Sequence, residues 1–248
     1  MEAEPVTPSP WSLRDPIFIY VAALVASLAG IVLAHFSGFI DLVEFADVDG
    51  TATDDQLPRI VMVAALAQYA AMYVGLKMLS NRKGTGSFQD DYHLHVSSND
   101  WPFVLYGAGL LFVSALALSG LFSWLGVEAP TQEVVVAAES SESFGEIAII
   151  VLVIAVLAPI LEEMLFRGVL LDVLKARMAL HPAIWTTGII FGIVHLTDPS
   201  SLLLVPALAG LGVILGFARE RSGGSLSRPI FMHMGFNGVT AIALAFGL

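Results

Sequence analysis

LEEMLFRGVL, residues 161–170, sets two adjacent carboxylates, Glu162 and Glu163, and one guanidinium, Arg167, inside a run that is otherwise apolar. That run begins near Phe144 and reaches Lys175, and it reads as helix embedded in a membrane. A charge at such depth is expensive, so the three together mark a functional site. Glu163 and Arg167 stand at i,i+4 and share one face of a helix, where each supplies the partner that a buried charge requires. Glu163 therefore reads as a structural anion held by Arg167. Glu162 lies about 100° further round the helix and has no cation within reach on its own segment. It is the freer group.

Two later apolar segments each carry a histidine: FGIVH, ending at His195, and HMGFN, from His233 to Asn237. Glu162 precedes Lys175 by 13 residues and His195 follows His181 by 14, or ~20 Å of helix in each case. His233 and Asn237 lie five and nine residues after Arg228, somewhat shallower, and are themselves i,i+4. These groups can share one layer of the membrane and face one cavity.

Composition agrees with a membrane setting. Of the 248 residues 56% are hydrophobic and only 13% charged, whereas a soluble domain is about a quarter charged. The mean hydropathy is +0.80. The expected fold is an all-α polytopic transmembrane helix bundle of seven spans: 16–36, 58–79, 101–125, the motif run from 144, 182–196, 202–218 and a last one from 229. The first span, with an acidic rather than basic lead, reads as retained rather than as a cleaved signal. Trp101 and Trp124 mark the ends of the third span, where interfacial aromatics belong. The fourth run is about 35 residues, ~50 Å of helix, too long for one straight crossing. A kink at Pro159 or a break near Gly168 is expected, and a split there would add an eighth helix. Residues 1–143 read as three spans with acidic loops, and residues 144–248 as the helical core that carries the site.

The basic residues orient the chain. Arg14, then Lys77, Arg82 and Lys83, then Lys175 and Arg177, then Arg219, Arg221 and Arg228 fall at the N-terminal side and in every second connector, with Arg59 as the stray. The positive-inside rule then places the N-terminus in the cytoplasm and the C-terminus outside. The opposite connectors are acidic, through Asp41, Glu44, Asp47, Asp49, Asp54 and Asp55 in the first and Glu128, Glu133, Glu139 and Glu142 in the second. With 22 acidic against 11 basic residues, there is no clustered positive surface for nucleic acid. The chain has no cysteine, hence no disulfide framework, thiol nucleophile or thiolate metal site. His93 and His95 fall in a turn-rich polar connector and read as solvated loop.

The chemistry open to the constellation is peptide hydrolysis. A carboxylate or imidazole deprotonates water, a second polar group steadies it, and asparagine or imidazole donates to the tetrahedral oxyanion. Neither an HExxH helix nor a GxSxG elbow occurs. Water activation has two forms. Glu162, His195 and His233 are one carboxylate and two imidazoles, the ligand count of a catalytic zinc with an open fourth position. Without metal, Glu162 is the general base, His195 orients the same water, and Asn237 donates to the oxyanion. No short ligand pair anchors a metal, which favours the metal-independent form. A proton relay in a carrier or channel is the rival from another class, although no second half mirrors the first.

EEMLFR, FGIVH and HMGFN resemble the EExxxR, FxxxH and HxxxN motifs of the CPBP family, which groups type II CAAX prenyl endopeptidases with bacteriocin-processing and bacteriocin-immunity membrane proteins. The resemblance runs from about Phe144 to the C-terminus. It implies an intramembrane protease in which Glu162 and His195 activate water, Glu163 and Arg167 support the site, and His233 and Asn237 shape the site and its oxyanion pocket. A non-proteolytic immunity or scaffold role is the family's other implication. The implied partner is a peptide or lipidated, CAAX-like protein substrate that enters from the membrane or the cytoplasmic side. The expected location is a prokaryotic plasma membrane.

Overall fold

The protein is described by a computed structural model that covers residues 9–45, 56–127, 133–141, 143–196 and 200–246. The loop acids Asp47, Asp49, Asp54, Asp55, Glu128 and Glu142 lie outside the described residues. Among the described residues there is no strand, and seven long helices carry the architecture. They are α1 (Arg14–Phe36), α2 (Gln56–Lys83), α3 (Phe103–Leu125), α4 (Phe144–Lys175), α5 (Leu180–Ile193), α6 (Val205–Arg221) and α7 (Ser227–Phe246). The all-α helical bundle is borne out. α1 to α4 are each long and apolar enough to cross a membrane, and α5 is a shorter apolar helix of 14 residues.

α4 runs through the centre. Nearly every side chain from Ala158 to Leu174 is buried, whereas α1 and α3 expose rows of Phe, Leu and Val. That inversion is what a membrane selects, since lipid solvates an apolar exterior and charge retreats to the protein interior. Around α4 the other helices pack in pairs: α1 with α2, α3 with α7, and α5 with α6. Glycines on both partners set the α3–α7 crossing. A side chain on Gly107 of α3 would strike the Met232 carbonyl of α7, and one on Gly235 would strike that of Val104. Such backbone-to-backbone approach is the usual way small residues hold helices together in lipid.

α4 corrects one expectation. It is continuous from Phe144 to Lys175, with neither a break near Gly168 nor an eighth helix. Two π-helical stretches, Val153–Leu157 and Met164–Leu170, interrupt its α-helical bonding without ending the helix. The first lies just ahead of Pro159, whose ring would otherwise crowd the turn before it. Gly168 has a packing reason instead: a Cβ there would stand 3.1 Å from the ring of Tyr92.

One end of the bundle gathers almost all the basic residues, and ion pairs knit it. Lys83 meets Asp15 at 2.7 Å, Lys175 meets Glu220 at 2.8 Å, Arg219 meets Asp172 at 2.6 Å and Arg228 meets Asp100 at 3.0 Å. Arg59 sits at the other end, 3.3 Å from Glu146. The connector after α2 folds back onto this basic end. Tyr92 is buried, its hydroxyl donates to Leu76 O at 2.7 Å, and Trp11 stacks on its ring. His93 and His95 are exposed, as expected of a solvated loop.

Candidate active site on the central helix

The i,i+4 spacing on α4 produces its ion pair. Arg167 donates to Glu163 Oε1 at 2.8 Å, and both side chains are fully buried. The guanidinium also donates to Gly212 O of α6 at 2.8 Å and lies 4.6 Å from the centroid of the Phe191 ring of α5. One cation thus ties α4 to two other helices, with an aromatic face as further partner. His233 of α7 completes the arrangement: its Nδ1 stands 3.0 Å from Glu163 Oε1. An ionised carboxylate only accepts, so Nδ1 carries the proton and donates, and Nε2 is left with its lone pair.

His195 reaches the same point from another direction. α5 ends at Ile193, and His195 sits in the turn beyond it rather than within a helix running to 196. Its Nδ1 lies 2.6 Å from Phe191 O, one of the carbonyls that a helix end leaves unpaired. A carbonyl also only accepts, so here too Nδ1 donates and Nε2 presents a lone pair.

Both Nε2 atoms face Glu162. His195 Nε2 stands 3.8 Å and His233 Nε2 3.9 Å from Glu162 Oε2. Three lone-pair groups from α4, the α5 turn and α7 therefore converge with no proton among them. These gaps are too wide for direct hydrogen bonds and suit a small guest that brings hydrogens. Glu162 Oε1 is turned away and accepts from the hydroxyl of Tyr69 on α2 at 2.6 Å. Asn237 lines the same cavity, one turn along α7 from His233, and its Nδ2 donates to Ile154 O at 3.0 Å. Ile154 lies in the first π stretch of α4. The N–H of Ala158 bonds Val153 O, and Pro159 has no N–H, so neither neighbouring donor serves the Ile154 carbonyl. Asn237 takes that place.

All six candidate residues are thus brought together within one neighbourhood of α4. Glu162, His195, His233 and Asn237 line a cavity of about 640 Å³ whose other walls, from α2, α3 and α6, are largely apolar. Tyr69 and Tyr20 were not singled out in the sequence. Tyr20 of α1 donates to Val194 O at 3.0 Å, next to His195. Only a buried-hydroxyl argument at the positions facing α4 would have found them, since neither belongs to a local motif.

Two ligands on a tetrahedral zinc at ~2.1 Å stand ~3.4 Å apart, and the distances of 3.8 and 3.9 Å exceed that. Among the described residues no group of three ligating side chains is close enough to hold a metal. As they stand, Glu162, His195 and His233 fit a water better than zinc.

The segment that carries this geometry is similar to known proteins. Residues 144–239 match the family described as type II CAAX prenyl endopeptidase Rce1-like. A relative from Escherichia coli, described as an uncharacterized 24.3 kDa protein, is 34% identical over 115 residues, or 44% of this chain. The match spans about half of that relative's own length, 48%. No solved structure matches the chain. The segment 144–239, which carries all six candidate residues, is Rce1-like in sequence and bears out the family read from its three motifs.

Proposed function

We propose that the protein is an intramembrane endopeptidase in which Glu162 is the general base and no metal takes part. The observation that carries this reading is the convergence of Glu162 Oε2 with two imidazole Nε2 atoms whose Nδ1 protons are committed elsewhere. A water between them donates one hydrogen to Glu162 Oε2 and the other to His195 Nε2. Glu162 takes the first as the water oxygen attacks the peptide carbonyl carbon. Asn237 has two hydrogens on Nδ2 and spends one on Ile154 O, so the second is available to the oxyanion. His233, held through Nδ1 by Glu163, presents its Nε2 lone pair to the same water. Collapse of the tetrahedral intermediate breaks the C–N bond, and the proton on Glu162 passes to the leaving nitrogen, restoring the carboxylate.

The family match and the cavity wall support a substrate class. An apolar chamber of about 640 Å³ inside a membrane bundle suits a peptide with an apolar or lipidated neighbour. A CAAX-like lipidated protein that enters from the membrane or the cytoplasmic side is the proposed partner, and the plasma membrane of a prokaryote the proposed location.

The test uses the full chain in liposomes with a quenched, farnesylated peptide ending in a CAAX sequence, and product masses are recorded. Glu162→Gln should abolish cleavage and leave the protein folded and abundant. Near-wild-type turnover by that variant would remove Glu162 as the base. Activity should also survive chelator treatment, with zinc well below one per chain by elemental analysis. Stoichiometric zinc whose removal stops turnover and whose return restores it would make Glu162, His195 and His233 ligands instead.

A further inference from the structure

The matched segment does not build the site alone. Tyr69 belongs to α2, outside residues 144–239, yet its hydroxyl donates to Glu162 Oε1 at 2.6 Å. Among the described residues, the other carboxylate oxygen, Oε2, faces the two imidazoles at 3.8 and 3.9 Å. The two oxygens are therefore inequivalent. The terminal torsion of a glutamate is broad and nearly two-fold, so by itself it neither distinguishes the oxygens nor fixes the plane of the carboxylate. A hydroxyl-to-carboxylate bond of this length is charge-assisted and of the strong kind, and it fixes both.

We propose that Tyr69 is a positioning residue for Glu162. It engages Oε1, sets the plane of the carboxylate, and reserves Oε2 for the proton taken from water. α1 does the matching task for the other half of the pair, since Tyr20 holds the backbone of Val194 beside His195. α1 and α2 pack along each other, so one helical pair outside the three motifs orients both Glu162 and His195. A carboxylate released from Tyr69 would turn Oε2 away from the two Nε2 atoms during part of its motion. Proton transfer would slow while the cavity that receives the peptide kept its shape.

This role in turnover rests on the endopeptidase reading above, whereas the hydrogen bond itself does not, and the experiment separates them. Tyr69→Phe keeps the ring and removes only the hydroxyl. In liposomes with the farnesylated CAAX peptide, kcat should fall about 10- to 100-fold, the equivalent of one hydrogen bond to a charged group, with KM changed less than about twofold. Infrared spectra of protein labelled with 13C-glutamate supply a readout that needs no substrate. The wild-type minus Glu162→Gln difference isolates the Glu162 carboxylate stretch, and that band should move in the Tyr69→Phe background. It should move less in Tyr20→Phe, whose lost hydroxyl donates to Val194 O rather than to Glu162. An unmoved band in Tyr69→Phe, or a moved band with unchanged kcat, would overturn the proposal. If Glu162→Gln still cleaves, or wild type does not cleave, the endopeptidase reading fails, and the infrared band alone then decides whether Tyr69 orients this carboxylate.

Discussion

At the scale of single residues, the adjacent glutamates differ because their partners differ. Glu163 has no exposed surface and shares one oxygen, Oε1, between Arg167 and His233. Removing it leaves a buried guanidinium with Gly212 O and the rings of Phe166 and Phe191, and takes away the group that fixes the His233 tautomer. Breaking a buried pair from one side costs about 3–5 kcal/mol. Glu163→Ala should therefore lower thermal stability strongly as well as activity, whereas Glu162→Gln should cost activity alone. Thermal melts of the two variants in the same detergent check this, and equal melting temperatures would show that Glu163 is not structural.

At the scale of elements, α4 is continuous because another helix serves the carbonyl that its proline leaves open. If Asn237 supports Ile154 O because Pro159 has no N–H, the two side chains are energetically coupled. Asn237→Ala should destabilise the wild type by about 1 kcal/mol and the Pro159→Ala background by less. A double-mutant cycle on unfolding measures the difference, and strict additivity would refute the link. The connector after α2 offers a pH-dependent case outside the spans. Burial alone would raise the Asp91 carboxyl, but hydrogen bonds from Ser80, Thr85 and Gly86 outweigh it and hold the group below its ordinary value. A depressed carboxyl stabilises the fold above its unfolded pKa, and that contribution is lost as pH falls through the folded value. Wild type should lose melting temperature on acidification below about pH 4. Asp91→Asn should show a shallower loss over the same interval, and parallel curves would deny Asp91 this role.

At the scale of the whole molecule, the basic residues that alternate along the chain are gathered at one end of the bundle, where ion pairs join α1, α2, α4, α6 and α7. By the positive-inside rule we propose that this is the cytoplasmic end. The parent has no cysteine, so Gln89→Cys at the basic end and Glu139→Cys at the other report orientation without background. In intact cells an impermeant maleimide should label Glu139→Cys, and Gln89→Cys only after permeabilisation. The opposite pattern would invert the molecule.

The sequence by itself determined the helical bundle, because hydropathy and length are properties of each segment alone. It also determined that Glu163 would meet Arg167, and that His233 and Asn237 would share a face, because i,i+4 spacing acts within one helix. Tertiary structure decided the rest. The length of the fourth run pointed to a break near Gly168, yet α4 stays whole through two π stretches and a carbonyl bonded by a side chain 83 residues away. His195 sits beyond the end of α5 rather than inside it, and Tyr69 joins Glu162 across 93 residues of chain. Contacts of that kind carry no local period, since they depend on which helix faces pack together. In lipid, close approach at glycines and the need to satisfy buried polar groups make that choice.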